Sequence, residues 1–276
     1  MPQLFRFTLF ILVIAVCYSC APKPYAATNK SYKKQVKALA KQLSSIPKDE
    51  QLLADSMKLP ANWVGTTNLG LRKPNSVIIH HTAQNSCDQT LKTFTMPKTQ
   101  VSAHYVICKD GTLFHMLNDY LRAWHAGAGK WGGQQDINSS SIGIEIDNNG
   151  SDKFTEAQLN TLLGLLANLK KTHNIPVANF IGHGDIAPTR KVDPNVHFPW
   201  QRLAEKGFGY WYSDTTGIIL PVDFNPVYAL RIIGYDVSNI KAATEAFRRH
   251  FIGIENKDEL TEAERKVLYV LMLKYL

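Results

Sequence analysis

The apolar residues of this chain fall into short runs of strand length, and this segmentation limits the possible folds more than any other feature. The runs at 76–80, 103–108 and 141–146 each contain isoleucine, and the first two also contain valine. Lys109-Asp110-Gly111 follows the second run and is a turn signal, so we expect 112–117 to return beside it as a partner strand. The sequence therefore predicts at least four strands.

One long segment, 155–171, has the spacing of an amphipathic helix instead. Thr155 and Gln158 fit a capping box at its start, and Pro176 limits its end. Its predicted buried stripe consists of leucines: Leu159, Leu162, Leu163, Leu166 and Leu169. Strands mixed with helices predict an α/β fold, in which helices pack against a central sheet.

The N-terminus has the pattern of an export signal. Arg6 precedes an apolar run at 7–16, which is too short to span a bilayer comfortably. Small residues follow, and Cys20 lies where a bacterial lipoprotein carries its lipid. We interpret 1–19 as a lipoprotein signal and Cys20 as the lipidation site, with a plain cleaved signal peptide as the alternative. Because one acyl chain binds membranes only marginally, stable anchoring implies several chains on Cys20.

The formal net charge is +8, which suits a partner that is an anionic polymer. Nucleic acid, anionic lipid and cell wall all fit this charge. No aromatic and basic cluster resembles a nucleic-acid-binding module, so we disfavour nucleic acid as a partner.

Two further cysteines, Cys87 and Cys108, lie in the exported part of the chain. Export places them where a disulfide can persist. Only geometry decides whether they pair, and two buried free thiols are an equal alternative at this stage.

Composition and spacing also divide the chain into segments. The segment 28–45 predicts a solvated amphipathic helix among many lysines, and 49–58 predicts a second short one. Near the C-terminus, 240–250 and 261–275 predict helices, the latter with a capping box of Thr261 and Glu264. The predicted organisation is a signal at 1–19, a tether with an N-terminal helical segment at 20–74, a main domain at 75–210 and a small helical unit at 222–276.

Three residues far apart in the chain predict a metal site. His80 ends an apolar run, His183 lies in a loop after another short apolar run, and Asp193 follows ten residues later. Two imidazoles and a carboxylate are a set that catalytic zinc accepts while keeping a fourth position open. Spacing alone is a weak signal for such a site, because long gaps between ligands match many unrelated chains.

Five motifs, in order, resemble one known family. They are Val77-Ile78-Ile79-His80-His81-Thr82-Ala83, then Ser102-Ala103-His104-Tyr105 with Asp110-Gly111, then Ala123-Trp124-His125-Ala126-Gly127, then Ser141-Ile142-Gly143-Ile144-Glu145, then Gly182-His183-Gly184-Asp185-Ile186-Ala187-Pro188 with Lys191 and Asp193-Pro194. Over about residues 75 to 205 the chain resembles the type 2 N-acetylmuramoyl-L-alanine amidases, which include phage amidase lysozymes and peptidoglycan recognition proteins. Within that family it is most similar to outer-membrane lipoprotein amidases, whose small C-terminal helical domain resembles peptidoglycan-binding modules.

The resemblance implies a central mixed β-sheet with flanking helices, plus a small C-terminal three-helix domain at 222–276. It implies a Zn²⁺ ion held by His80, His183 and Asp193, with His80 chosen over His81. It also implies a main domain, 75–210, that cleaves the amide between N-acetylmuramic acid and L-alanine.

The roles of the other site residues are implied by the same resemblance. Glu145 takes the position of the general base that deprotonates zinc-bound water, and Lys191 that of the residue stabilising the oxyanion. Trp124 and His125 are assigned to the substrate groove. The implied partners are peptidoglycan or muropeptides, and the membrane through the lipid anchor on Cys20. We expect a monomer, in the cell envelope and at the periplasmic face of the outer membrane.

Three further polar residues near the motifs receive structural interpretations. We expect His81 to pack locally and His104 to serve as a hydrogen-bonding residue within its strand. Asp185 is a candidate partner that orients a ligating imidazole, because such partners are usual at metal sites; a loop Asp also commonly caps its own turn.

Three alternative functions differ in the chemistry they need. A protein that only binds peptidoglycan would keep the fold without metal, and a zinc peptidase would cut within the stem peptide. A structural lipoprotein would tether wall to membrane through the C-terminal unit alone.

Overall fold

The computed structural model describes residues 24–44, 66–255 and 258–276. The predicted signal at 1–19, the lipidation site Cys20 and the predicted helix at 49–58 lie outside the described residues. The chain divides into two units, one up to Leu69 and one from Gly70 to Leu276.

In the first unit, helix α1 (Ala26–Leu43) agrees with the helix that the sequence predicts. None of its residues is buried, and its lysines and leucines are mostly open to solvent. Among the described residues, no helix combines the length and the apolar character that a membrane span requires.

Five strands form the sheet of the second unit. They are β1 (Ser76–His81), β2 (Tyr105–Ile107), β3 (Leu113–His115), β4 (Ser141–Ile146) and β5 (Phe180–Gly182). Their order is β3-β2-β4-β1-β5, with β3 antiparallel to β2 and the other pairs parallel. This confirms the predicted mixed sheet. The second strand, Tyr105–Ile107, is shorter than the predicted run at 103–108.

Among the described residues, five α-helices accompany these strands. They are α2 (Cys87–Thr95), the short α3 (Ile137–Ser140), α4 (Glu156–His173), the short α5 (His183–Ile186) and α6 (Trp200–Glu205). A disulfide joins Cys87, at the start of α2, to Cys108, just after β2, with 5.3 Å between the Cα atoms. The pairing that the sequence left open is therefore present.

The two faces of the sheet bury different clusters. Alternate residues of β4, including Ile144 and Ile146, pack beneath α4, whose predicted capping box is present. The buried stripe of α4 differs from the prediction at one position, since Leu165 is buried and Leu163 lies at the edge of the core. The opposite face carries Ile78 and, because side chains alternate along a strand, also His80 and Glu145.

The C-terminal part forms three helices, which confirms the predicted three-helix arrangement. They are α7 (Pro226–Ile233), α8 (Ile240–Phe247) and α9 (Glu262–Tyr275). They enclose their own apolar cluster, and the predicted capping box of Thr261 and Glu264 is present. After α8 the chain continues as one turn of π-helix, Arg248–Ile252. There Arg248 is buried and forms a forked ion pair with Glu264, which fixes this turn to the start of α9.

Candidate metal centre

Three adjacent parallel strands end at the same edge of the sheet and present polar side chains there. His80 of β1 pairs in register with Glu145 of β4. On the other side of β1, Ile79 pairs with Gly182, the last residue of β5, and His183 follows immediately after it. Because carboxyl ends of parallel strands meet at one edge, residues that are 65 and 103 positions away from His80 become its neighbours.

The three predicted metal ligands come together at this edge. His80 Nδ1 lies 2.9 Å from His183 Nδ1 and 3.1 Å from Asp193 Oδ2, and His183 Nδ1 lies 3.0 Å from the same oxygen. All three residues are buried. A tetrahedral ion with bonds of about 2.0–2.1 Å separates its ligand atoms by about 3.3 Å, so the triangle needs only a slight expansion to hold one.

A chain of hydrogen bonds fixes the tautomer of His80. The Ser141 hydroxyl donates to Ile137 O at 2.6 Å, so it accepts from His125 Nε2 at 3.2 Å. His125 Nδ1 is then an acceptor, and His80 Nε2–H donates to it at 3.0 Å. The lone pair of His80 therefore lies on Nδ1, the atom that faces Asp193.

His183 is oriented in the same way by the backbone. Its Nε2–H donates to Ala126 O at 3.2 Å, which leaves the lone pair of the neutral ring on Nδ1. Two imidazole lone pairs and a carboxylate oxygen thus converge within about 3 Å without a proton between them. Three converging acceptors require a cation, and two nitrogens with one oxygen are donors suited to zinc and similar divalent ions.

Burial and mutual interactions perturb the pKa values of this cluster. Burial, followed by the neighbouring His183, lowers the pKa of His80 to about 4, so the ring is neutral at pH 7. Burial also lowers the pKa of His125 well below its ordinary value. Burial opposes the ionised form of Asp193, but its close contacts with His183 and His80 outweigh burial and hold the pKa of Asp193 below its usual range. A neutral pair of imidazoles beside a carboxylate is the protonation state that binds metal.

Glu145 is the buried carboxyl group beside this cluster. Burial, reinforced by the charge of Asp193, raises the pKa of Glu145 to about 8. Among the described residues its Oε2 atom has no hydrogen-bond partner, although this oxygen is shielded from solvent. A buried acceptor without a partner is costly, and such a group usually serves a ligand, a water molecule or an ion.

The loop that bears Asp193 also brings Lys191 to the site. Lys191 is half-buried, and its positive charge lowers the pKa values of Glu145 and His80. The Gly184 N–H donates to Asp193 O at 2.6 Å and joins this loop directly to the residue after His183. The five residues predicted for zinc binding and catalysis are thus close together, and their roles stay predictions.

The two residues assigned to the substrate groove differ in their surroundings. Trp124 is 52% exposed, and its indole is therefore available to a ligand. His125 is 8% exposed and hydrogen-bonds to His80, so it orients a candidate ligand from behind. Sequence reasoning missed Ser141 at the end of this hydrogen-bond chain. Its signal was the alternation along β4, where Ser141, Gly143 and Glu145 share the face opposite to the isoleucines.

The other polar residues have structural contacts. His104, immediately before β2, accepts from Gly143 N–H through Nδ1 and donates to Leu121 O through Nε2, as expected of a structural residue. His81 Nδ1 accepts from Asn195 N–H, which agrees with local packing. Asp185 makes no direct hydrogen bond to His80 or His183. It accepts instead from Gly182 N–H and from two side chains of the C-terminal helices.

The chain belongs to the N-acetylmuramoyl-L-alanine amidase family (Amidase_2), whose model matches residues 70–196. It is 31% identical over 230 residues to the N-acetylmuramoyl-L-alanine amidase AmiD of Escherichia coli, covering 72% of this chain and 82% of AmiD. It is 38% identical over 104 residues to the 1,6-anhydro-N-acetylmuramyl-L-alanine amidase AmpD of Haemophilus influenzae, covering 37% of this chain and 56% of AmpD. These matches confirm the predicted family and enzyme class.

Solved structures agree with this placement. The complex of E. coli AmiD with anhydro-N-acetylmuramic acid-L-Ala-D-γ-Glu-L-Lys superposes with a TM-score of 0.66 at 27% identity, over 81% of this chain and 97% of that one. AmpDh3 of Pseudomonas aeruginosa in complex with anhydromuramic pentapeptide superposes with a TM-score of 0.65 at 29% identity, over 79% of this chain and 98% of that one. Each match spans about four fifths of this chain, which confirms the fold class.

Proposed function

We propose that this protein hydrolyses the amide bond between N-acetylmuramic acid and L-alanine in peptidoglycan or its fragments, with a zinc ion held by His80, His183 and Asp193. The observation that carries the proposal is the convergence of three buried acceptor atoms with no proton between them. The relatives support the substrate class, because the AmiD and AmpDh3 structures contain muramic acid joined to a peptide.

Zinc at this site would supply a Lewis acid that polarises the scissile carbonyl and lowers the pKa of bound water from 15.7 to about 7. Glu145 is the candidate general base. Its buried Oε2 has no hydrogen-bond partner among the described residues, and burial together with the nearby negative charge of Asp193 raises the pKa of this carboxyl group. The charge of a bound dication would lower the pKa of Glu145 and favour its ionised form, which takes a proton from the attacking water. It then returns this proton to the nitrogen of the leaving L-alanine, which departs as a neutral amine.

Lys191 is the candidate residue that stabilises the oxyanion. The attack places negative charge on the former carbonyl oxygen, and a fixed positive charge nearby stabilises that charge. The charge of Lys191 already acts on Glu145 and His80, so its ammonium group lies within electrostatic reach of the reacting centre. His125 and Ser141 meanwhile hold His80 in the tautomer that binds through Nδ1.

We also propose that the enzyme works in the cell envelope, held at a membrane by lipid on Cys20. The support is the sequence of the N-terminus, where a basic residue and a ten-residue apolar run precede the cysteine. The peptidoglycan substrate lies in the same compartment, and the disulfide between Cys87 and Cys108 suits an exported protein.

The test is digestion of purified muropeptides, with the products identified by mass spectrometry. We expect a free stem peptide with a new amine on L-alanine, loss of activity with a chelator and recovery with zinc. Glu145→Gln should lower the rate by a factor of about 100 to 10,000. The matched control is Glu156→Gln, which alters an exposed carboxylate paired with Arg202 and should leave the rate unchanged.

Other products would contradict the proposal in distinct ways. Cleavage between later residues of the stem would identify a peptidase. Binding of peptidoglycan without any cleavage would identify a recognition protein, and full activity in protein free of metal would exclude the zinc site.

A further inference from the structure

The short helix α5 begins with the candidate ligand His183 and is held by residues far away in the chain. Its Asp185 is 3% exposed and accepts three hydrogen bonds. The first comes from Gly182 N–H at 2.9 Å, immediately before His183. The other two come from the C-terminal helices, where Tyr235 O–H donates at 2.9 Å and His250 Nδ1–H at 2.7 Å. Asp185 is therefore the junction between the C-terminal helices and the segment that carries His183.

The two donors are themselves immobilised by packing. The His250 ring stacks on Trp200, with 3.9 Å between centroids and 12° between planes, and is covered on its other side by Phe251. Tyr235 is 2% exposed and packs edge-on against Trp131. Buried donors with a single orientation give a carboxylate little freedom to rotate, so the position of Asp185 is set by the C-terminal helices.

Another residue of the π-helical turn, Arg249, packs against the same loop. Arg249 is 8% exposed, and a Cβ atom added at Gly184 would lie only 3.1 Å from its Nη1 atom. The same added atom would lie 3.3 Å from Lys191 O and 3.4 Å from Asp193 O. The guanidinium therefore packs against the point where the segments bearing His183 and Asp193 meet. The π-helical turn, fixed by Arg248, presents Arg249 and His250 in succession to this point.

We propose that Tyr235 and His250 are positioning residues for the metal centre, which makes the C-terminal helices a structural part of the amidase site as well as a candidate wall-binding unit. They act through Asp185, which holds Gly182 and thereby sets the direction of the His183 ring. This inference rests on the proposed zinc site. It predicts that loss of either hydrogen bond weakens metal binding while the protein stays folded, since partners of ligating residues typically contribute a factor of about 10 to 100 in metal affinity.

The experiment measures zinc affinity of the purified protein by competition with a chromophoric chelator, and the visible spectrum of the Co²⁺-substituted protein. Tyr235→Phe removes only the O–H and keeps the ring that packs on Trp131. We expect it to weaken zinc binding about tenfold and to shift the Co²⁺ bands. The matched control is Tyr228→Phe, an exposed tyrosine of α7 that should leave both readouts unchanged. Circular dichroism verifies that each variant is folded.

A second pair of variants separates the hydrogen bond from the packing of the ring. His250→Asn places an amide N–H near the position of Nδ1, whereas His250→Leu removes the donor. We expect His250→Asn to recover most of the affinity that His250→Leu loses. Wild-type affinity and spectrum in folded Tyr235→Phe would overturn the inference, and so would equal losses in the two His250 variants. Failure of the wild-type protein to bind zinc would instead refute the proposed function.

Discussion

In the metal-free protein, the buried carboxyl group of Glu145 is expected to lower the free energy of unfolding at pH 7. Its pKa is raised from 4.5 to about 8, mainly by burial, and its Oε2 has no hydrogen-bond partner among the described residues. In the unfolded chain the group ionises near pH 4.5, whereas in the folded metal-free protein it stays protonated until about pH 8. Because the unfolded state releases a proton that the folded state keeps, stability falls as the pH rises through this interval.

The size of the effect at pH 7 follows from these values. From pH 4.5 to pH 7 the cost accumulates at about 1.4 kcal/mol per pH unit, or about 3 kcal/mol in total. Glu145→Gln keeps the shape of the side chain and cannot ionise. We therefore predict that this variant raises the free energy of unfolding of the metal-free protein by about 3 kcal/mol at pH 7, and changes it little at pH 4.

The assay is urea denaturation of the metal-free protein at both pH values, followed by circular dichroism. Glu156→Gln is the matched control, because it removes an exposed carboxylate and should change stability little at either pH. The reasoning is refuted if Glu145→Gln is neutral or destabilising at pH 7, or if its effect is the same at pH 4. Confirmation would show that a residue proposed for catalysis is retained at a cost in stability.

Three further outcomes are expected. His125→Leu leaves the Nε2–H of His80 without its acceptor and should weaken zinc binding about 10- to 100-fold in chelator competition, whereas His115→Leu, at an exposed histidine, should not. Lys191→Met should lower kcat about 100-fold with little change in KM, and a change in KM alone would contradict its role. Replacing Cys87 and Cys108 together by alanine should lower the free energy of unfolding by about 3 kcal/mol, because the disulfide closes a loop between positions 21 apart in the sequence; unchanged urea stability would argue against this.

The sequence predicts β1 and β4, the strands that carry His80 and Glu145, but shows only a short apolar run before His183, where the structure has β5 and the start of α5. Isoleucines at alternate positions of β4 assign Glu145 to the opposite face, and the structure has the same alternation. His80 lies at the carboxyl end of β1, as expected for a site residue of a parallel sheet. His80 and Glu145 lie side by side in adjacent strands, and His183 follows immediately after the third strand, β5.

The contacts that orient the site could not be predicted in the same way. Tyr235 and His250 lie 50 and 65 residues from Asp185, and no periodicity connects a helix end to a loop at that distance. The role of His125 behind His80 depends on a tautomer, which depends in turn on a serine hydroxyl. Such links are properties of the packed chain, and a local pattern carries no information about them.

The central claim is that the Nδ1 atoms of His80 and His183 and a carboxylate oxygen of Asp193 bind one zinc ion. The most direct measurement is a crystal structure of the zinc-loaded protein, with anomalous diffraction recorded on both sides of the zinc absorption edge. We predict one strong anomalous peak at about 2.0–2.2 Å from these three atoms, facing Glu145. A peak within bonding distance of Nε2 of either histidine, or of other residues instead of these three, would contradict the account.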